Sequence, residues 1–311
     1  MSGSKAVIDF GTNTARLLIA DQIRGGGFRH IHLQREVVRM GGGFSRTEGL
    51  SMDAMQRGLA CLNRFSESIR AHGIHHVLAV ATSAVRDAVN GAAFVHLVRQ
   101  ETGIELRIID GVVEGTLTLA GVKTGLDCQY DTILVLDIGG GSTEFTLARS
   151  GQAVFVHSLP LGVVRLTEGK DSIAAMEIKI RKELANMLLT MRQSGDYVVQ
   201  GMPLVGTAGT ATTLAAISME MVDYDYRKVN NATVSRQEIT SILNRLLPLT
   251  LEERLKVPGL EKGREDLIIA GILIILQTME LFGMERMKVS DFGLLEGLLV
   301  CGESVVASYD A

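Results

Sequence analysis

One segment of this chain occurs twice, and that repeat limits the folds open to it more than any other feature. Val7 to Gly11 is an apolar run ending in Asp9-Phe10-Gly11, and Ile133 to Gly139 is an apolar run ending in Asp137-Ile138-Gly139. Each continues through a short polar turn into a second strand-like stretch, Leu17 to Ala20 and Phe145 to Ala148. Superposing the two sets Asp9 on Asp137, Gly11 on Gly139 and Ala20 on Ala148 without a gap. A self-similar segment of this kind predicts two copies of one lobe, each presenting an Asp-x-Gly hairpin.

The surrounding pattern agrees with an α/β lobe. After the first hairpin, a third strand is expected through Ile31 to Val38, then a helix capped by Ser51 with Met55, Leu59, Leu62 and Ile69 on one face. Strands at Val77 to Val80 and Leu106 to Ile109 alternate with a helix starting at Asn90. The second half is more helical. Asp171 to Arg192 is amphipathic, Leu204-Val205 is a short strand, and Ser235-x-x-Glu238 is a capping box. Helices through Leu267 to Phe282 and from Gly293 onward flank a strand at Met287 to Val289. The boundary falls in the polar connection between Val122 and Asp131, giving expected lobes 1–123 and 124–311.

Composition narrows the function classes. With 46% hydrophobic and 21% charged residues, the chain can build real cores and is not a disordered segment. Its net charge of -4 and dispersed Lys and Arg give no basic run, so no nucleic-acid polymer or membrane surface is expected as partner. A polyanionic substrate would need a locally positive cleft. Cys61, Cys128 and Cys301 are isolated and odd in number, which argues against a disulfide framework or a cysteine zinc site and favours a cytoplasmic location. No secretory apolar region opens the chain, and Leu267 to Leu276 is too short to span a bilayer and reads as a buried helix. The apolar C-terminal helices are compatible with a homodimer.

Four small-residue loops carry the chemistry: Asp9 to Thr14, Asp137 to Thr143, Gly206 to Thr210, and Asp291-Phe292-Gly293. Glycine lets backbone N–H groups approach an anion, and Ser and Thr add hydroxyl donors. Gly11, Thr12, Asn13 and Thr14, with Gly139, Gly140, Gly141, Ser142 and Thr143, form two candidate phosphate cradles that could clamp a phosphate chain from two sides; Gly206, Thr207, Gly209 and Thr210 form a third. Asp9 and Asp137, at strand ends, can hold a divalent cation through water, as magnesium prefers, and Glu144 is a further candidate. Any one loop alone would read as an ordinary turn. Two such loops resemble those of the wider actin-like, sugar-kinase-like and Hsp70-like superfamily, a resemblance that implies an α/β fold of two ribonuclease-H-like lobes flanking a central cleft.

A closer resemblance rests on collinear motifs. Val7 to Leu17 resembles the opening motif of the Ppx/GppA phosphatase family (exopolyphosphatase and guanosine pentaphosphate phosphohydrolase). Ala81 to Ala88 is similar to its Thr-x-x-x-Arg-x-Ala segment, and Ile109 to Glu114 to its Ser-Gly-x-Glu-Glu-Ala-Arg-Leu motif. Asp137 to Glu144, Ser158 to Gly162, Arg165 to Glu168, Gly206 to Thr213 and Val289 to Leu294 complete the set. The resemblance implies a short form of the family and a magnesium-dependent hydrolase. Such an enzyme removes terminal phosphate from inorganic polyphosphate or from guanosine pentaphosphate, an alarmone of the stringent response. It also implies Glu114 as the catalytic glutamate, Arg86 as the loop arginine and Asp137 as the metal-associated aspartate. Phosphoryl transfer to water needs an oriented nucleophile and neutralised equatorial oxygens, which suits these residue types.

Taken alone, Glu114 is equally a dipole-favoured acid at a helix start, and Arg86 an ion-pair partner of Asp87 or another acid. The sequence also departs from the family pattern. Val113 stands in place of the first Glu, Gly115-Thr116 in place of Ala-Arg, Leu295 in place of Arg, and Asp110 in place of Ser. Two readings therefore stand beside the hydrolase: an ATP-dependent phosphotransferase of the sugar-kinase type, and a non-catalytic sensor of polyphosphate or an alarmone.

Overall fold

The computed structural model describes residues 3–23, 27–197 and 201–309. In chain order the elements are β1 (Ser4–Phe10), β2 (Thr14–Gln22), β3 (Phe28–Val37), α1 (Met52–Ala71), β4 (Val77–Ala81), α2 (Ser83–Arg86), α3 (Gly91–Thr102), β5 (Leu106–Ile108) and α4 (Gly111–Gly125). These are followed by β6 (Thr132–Ile138), β7 (Thr143–Arg149), β8 (Gln152–Leu159), α5 (Val163–Gly169), α6 (Ile173–Gln193), β9 (Leu204–Thr207), α7 (Ala208–Ser218), α8 (Tyr226–Val229) and β10 (Thr233–Ser235). The last are α9 (Arg236–Leu246), α10 (Leu251–Arg254), α11 (Ile268–Phe282), β11 (Arg286–Val289) and α12 (Leu294–Tyr309).

The chain divides into two compact units, residues 1–124 with 294–311, and residues 125–293. Unit one holds a sheet of order β3-β2-β1-β4-β5, antiparallel through β3-β2-β1 and parallel from β1 to β5. Its strands are apolar on both sides because both faces are covered. Ile8, Phe10, Leu17 and Ile19 pack with Leu62, Phe65 and Phe94 of α1 and α3. Val7, Leu18, Ala20 and Val80 pack with Val113 and Leu117 of α4 and with α12.

The buried stripe of α1 includes Ala54, Gly58, Cys61, Leu62, Phe65 and Ile69, while Met55 and Leu59 lie only at its margin. The small residues are needed because the helix comes close: a Cβ on Gly58 would stand 2.7 Å from Met40 Sδ and 2.9 Å from Phe10 Cζ. Ser51 caps the helix by accepting from the Ala54 amide at 3.2 Å, a contact worth about 1 kcal/mol.

Unit two repeats the plan. In its sheet, β10-β11-β9-β6-β7-β8, the stretch from β8 to β11 has the same sense as β3 to β5, and β10 adds an antiparallel edge. Each unit thus has the ribonuclease-H-like order, and the repeat seen in the sequence is a repeat of structure. Register matches as well: Asp9 pairs with Arg16 across β1–β2, and Asp137 with Glu144 across β6–β7. The expected capping box forms, with the Glu238 amide donating to Ser235 Oγ at 3.2 Å and the Ser235 amide to Glu238 Oε2 at 2.8 Å. Helix α11 is almost wholly buried, as its apolar run predicts.

The sequence reading placed residues 294–311 in the second lobe. They pack in unit one instead, where Leu294, Leu295, Leu298, Leu299 and Val306 of α12 bury against its sheet. Apolar periodicity says that a helix has a buried face but not which sheet receives it. Each such buried side chain contributes about 2 kcal/mol, and Gly297 lets α12 lie against the backbone of Leu117. Among the described residues, no helix is long and apolar enough to cross a membrane.

Candidate active site

In unit one the Asp-x-Gly turn is tied down on all sides. The Gly11 amide donates to Thr14 O at 3.1 Å, and a Cβ on Gly11 would press on that same oxygen at 2.8 Å. The incoming chain after β3 clasps the turn: Val38 and Arg39 amides donate to Asn13 O, and the Gly41 amide to Thr12 O. Arg39 takes a positive φ of 46° to do so. Thr12 Oγ1 shares a hydrogen bond with Ser83 Oγ at 2.8 Å and accepts from the Ala84 amide at 3.1 Å. Asn13 is buried, and its Oδ1 has no hydrogen-bond partner among the described residues. Such an orphaned acceptor is costly unless something else satisfies it.

Asp9 sits at the end of β1 but is committed. Arg16 donates to its Oδ2 from Nη2 at 2.7 Å and from Nε at 3.2 Å. A carboxylate oxygen already holding a guanidinium is a poor ligand for a cation.

Glu114 lies in the first turn of α4 and is only 6% exposed. Asp110, where the family pattern has Ser, caps that helix by accepting from the Val112 and Val113 amides at 2.9 and 2.8 Å. Arg86, in the last turn of α2, donates from Nη1 to Glu114 Oε2 at 3.1 Å and to Ile109 O at 3.2 Å. Its Nε is 3.6 Å from Asp87 Oδ1. The two residues expected to do catalysis are therefore brought into direct contact, with the arginine fixing one carboxylate oxygen.

Unit two builds the equivalent turn with different side chains. The Gly139 amide donates to Ser142 O at 3.0 Å, repeating the Gly11–Thr14 bond. The start of α5 holds the carbonyl side of the glycine run: the Val163 amide donates to Gly139 O, the Val164 amide to Gly140 O, and Arg165 Nε to Gly141 O at 2.7 Å. Gly162 is required there, because a Cβ would collide with Gly140 and Gly141. Thr143 Oγ1 donates to Leu161 O. With the carbonyls turned to α5, the amides of Gly140, Gly141 and Ser142 have no partner among the described residues. Successive amides without a protein acceptor are the donor set of an anion nest.

Asp137 and Glu144 are buried and opposite one another in register. Ser158, the cross-strand neighbour of Glu144, donates to Glu144 Oε1 at 2.7 Å. Where unit one sets a cation across from its aspartate, unit two sets a second acid. Two close acids repel unless a cation lies nearby, and magnesium takes one or two carboxylates with water and phosphate oxygens completing its shell. Asp137 and Glu144 fit that donor set, whereas one oxygen of Asp9 is already held by Arg16. Among the described residues, no group of three or more His, Cys, Asp and Glu side chains forms an all-protein cage.

The Gly206 loop is differently occupied. Thr207 Oγ1 donates to Phe292 O at 3.0 Å, and Thr210 packs against Gly271 of α11. Ala208 adopts a φ of 60°, a strained conformation for a residue with a side chain. The Arg264 guanidinium covers Gly209 and pairs with Glu261 at 3.0 Å. Arg16, Ser83, Ser158, Arg165 and Arg264 are site residues to which sequence reasoning gave no role. The first and third could have been found by asking what stands opposite each acid in a hairpin register.

Residues 18–304 match the model of the Ppx/GppA phosphatase family, and the chain belongs to that family. It is 30% identical to exopolyphosphatase 2 of Mycobacterium tuberculosis, over 94% of this chain and 96% of that protein. It is 32% identical to the bifunctional 3-dehydroquinate synthase/phosphatase of Fusobacterium nucleatum, over 96% of this chain but only 46% of that longer protein. Among solved structures, an exopolyphosphatase from Cytophaga hutchinsonii superposes with a TM-score of 0.88 at 26% identity, covering 97% of this chain and 98% of that one. The Aquifex aeolicus member of the Ppx/GppA family gives 0.79 at 30% identity, with 99% of each chain covered. The fold is thus the α/β, two-lobe fold of that family.

Proposed function

We propose that this protein hydrolyses the terminal phosphoanhydride bond of inorganic polyphosphate. The observation that carries this reading is Glu114, buried at the first turn of α4 and held by Arg86 at 3.1 Å. A carboxylate so fixed is suited to orient a water and take its proton as the water oxygen bonds to the terminal phosphorus. The bond to the bridging oxygen breaks, and the shortened chain leaves as an oxyanion. Arg86 sets a guanidinium charge beside Glu114 that would offset negative charge on the equatorial oxygens of the transferred group. The free amides of Gly140, Gly141 and Ser142 supply donors for phosphate oxygens, as does Asn13 through its amide nitrogen. Magnesium, held by Asp137 and Glu144, would neutralise charge on the phosphate chain. Polyphosphate is preferred over guanosine pentaphosphate because the relatives above include named exopolyphosphatases.

The test is phosphate release from long polyphosphate, short polyphosphate, guanosine pentaphosphate and ATP, with magnesium and with EDTA, and with Glu114→Gln alongside. Magnesium-dependent release from polyphosphate that the variant lacks supports the proposal. Release only from guanosine pentaphosphate corrects the substrate. Transfer from ATP to an acceptor, or tight binding without turnover, would replace the hydrolase reading by the kinase or the sensor.

A further inference from the structure

The Asp-x-Gly turn of unit one carries a hydroxyl that its repeat lacks. Superposing the two turns sets Thr12 on Gly140, so a turn of this kind can be built with no side chain at that place. In unit one the hydroxyl is directed into the protein. Thr12 is 4% exposed and Ser83 only 2%. Thr12 Oγ1 lies 2.8 Å from Ser83 Oγ and accepts from the Ala84 amide at 3.1 Å. A hydroxyl has one proton and two lone pairs, so these two bonds use most of its capacity.

The Ala84 amide belongs to the first turn of α2, where amides have no acceptor within their own helix. Thr82, in the usual capping place, makes no side-chain bond to the helix. Thr12 supplies the cap instead, from the β1–β2 turn. Helix α2 is a single turn of four residues, and Arg86 is its last. One turn has little stability of its own, so its position is set by what holds it. Two residues beyond the capped amide, Arg86 Nη1 reaches Glu114 Oε2 at 3.1 Å. All of these residues lie in the first unit.

We propose that Thr12 is a positioning residue for the Arg86–Glu114 pair, acting through α2, rather than a donor to the phosphate chain. Its effect on rate rests on the hydrolase reading above. Without the hydroxyl, the Ala84 amide and Ser83 Oγ lose their partner, and α2 is free to shift with Arg86 at its end. The cost falls on the chemical step, because the glycine-turn amides that face the phosphate chain are unchanged.

The experiment compares Thr12→Val, which keeps the shape and removes the hydroxyl, with Thr12→Ser, which keeps the hydroxyl. Steady-state phosphate release from polyphosphate with magnesium is measured for both beside the unsubstituted protein. Thr12→Val is expected to lower kcat about tenfold or more with KM within about twofold, and Thr12→Ser to recover most of the loss. A raised KM with kcat kept would make Thr12 a substrate contact, and an unchanged kcat would leave Arg86 independent of it; either result overturns the proposal. If Thr12→Val does not fold, Ser83→Ala decides in its place. It removes one of the two partners of Thr12 and must lower kcat, to a smaller degree, with KM kept; an unchanged kcat or a change confined to KM overturns the proposal. Hydrogen exchange over residues 83–88 separates this proposal from the hydrolase reading. If the unsubstituted protein releases no phosphate from polyphosphate, that reading fails, while faster exchange in Thr12→Val that Thr12→Ser restores supports the cap. Equal exchange in all three proteins overturns it.

Discussion

Arg86 Nη1 lies 3.1 Å from Glu114 Oε2 and 3.2 Å from Ile109 O, so one nitrogen ties α2 to the chain leading into α4 and to the acid that α4 presents. This fixes the orientation of Glu114 before any substrate arrives. An amide in place of the carboxylate can still accept from Arg86 but cannot take a proton. Glu114→Gln is therefore expected to lower kcat for phosphate release by about a hundredfold or more, with little change in melting temperature. Unchanged turnover would remove Glu114 from the mechanism.

The contrast between Asp9–Arg16 and Asp137–Glu144 predicts where magnesium goes. Asp137→Asn should abolish magnesium binding measured by titration calorimetry in the absence of substrate or weaken it by about tenfold. Asp9→Asn should leave it unchanged, because Arg16 already occupies that carboxylate. Equal losses in the two variants would show that the hairpin register does not decide metal binding.

Gly162→Ala should be among the most damaging small substitutions, since a methyl there overlaps the backbone of the glycine run. A loss of about 3 kcal/mol is expected in urea unfolding. Gly169→Ala is the control: nothing lies within 4 Å of the added carbon, and the variant should be neutral or slightly more stable.

The Arg64 guanidinium holds the Glu36 carboxyl below the ordinary carboxylate range, outweighing the effect of partial burial. A depressed carboxylate stabilises the fold above its unfolded pKa, and that stabilisation is lost as pH falls through the folded value. Arg64→Ala should thus cost about 0.5 kcal/mol at neutral pH for this solvent-exposed pair. The difference from the unsubstituted protein should shrink as pH falls below the ordinary glutamate value of about 4.3 and vanish only below the lower folded value. Urea unfolding at several pH values measures it, and a constant difference would refute the assignment.

Much of this was legible because the determinants are local. The two Asp-x-Gly hairpins, the Ser235–Glu238 cap and the buried helix at Ile268 to Phe282 follow from short-range pattern, turn chemistry and composition. The contact of Arg86 with Glu114 was legible only as two candidate residues, since their meeting depends on how β4, β5 and α4 pack. The role of Arg16 was hidden for a different reason. It stands one residue from a conspicuous glycine turn, and only the strand register shows that it faces Asp9. The unpartnered amide of Gln277 in α11 was invisible, because a single Gln in an apolar run gives no sign of whether its amide is satisfied.

Helix α12 has a consequence for how the protein is made. It closes the first unit's sheet with residues from the far end of the sequence, whereas 125–293 contains everything its own core requires. During synthesis the later unit can therefore mature first. Val7, Leu18, Ala20 and Val80 are covered on that side by α4 alone until α12 leaves the ribosome. In that interval the first unit's sheet exposes the apolar surface that α12 will cover.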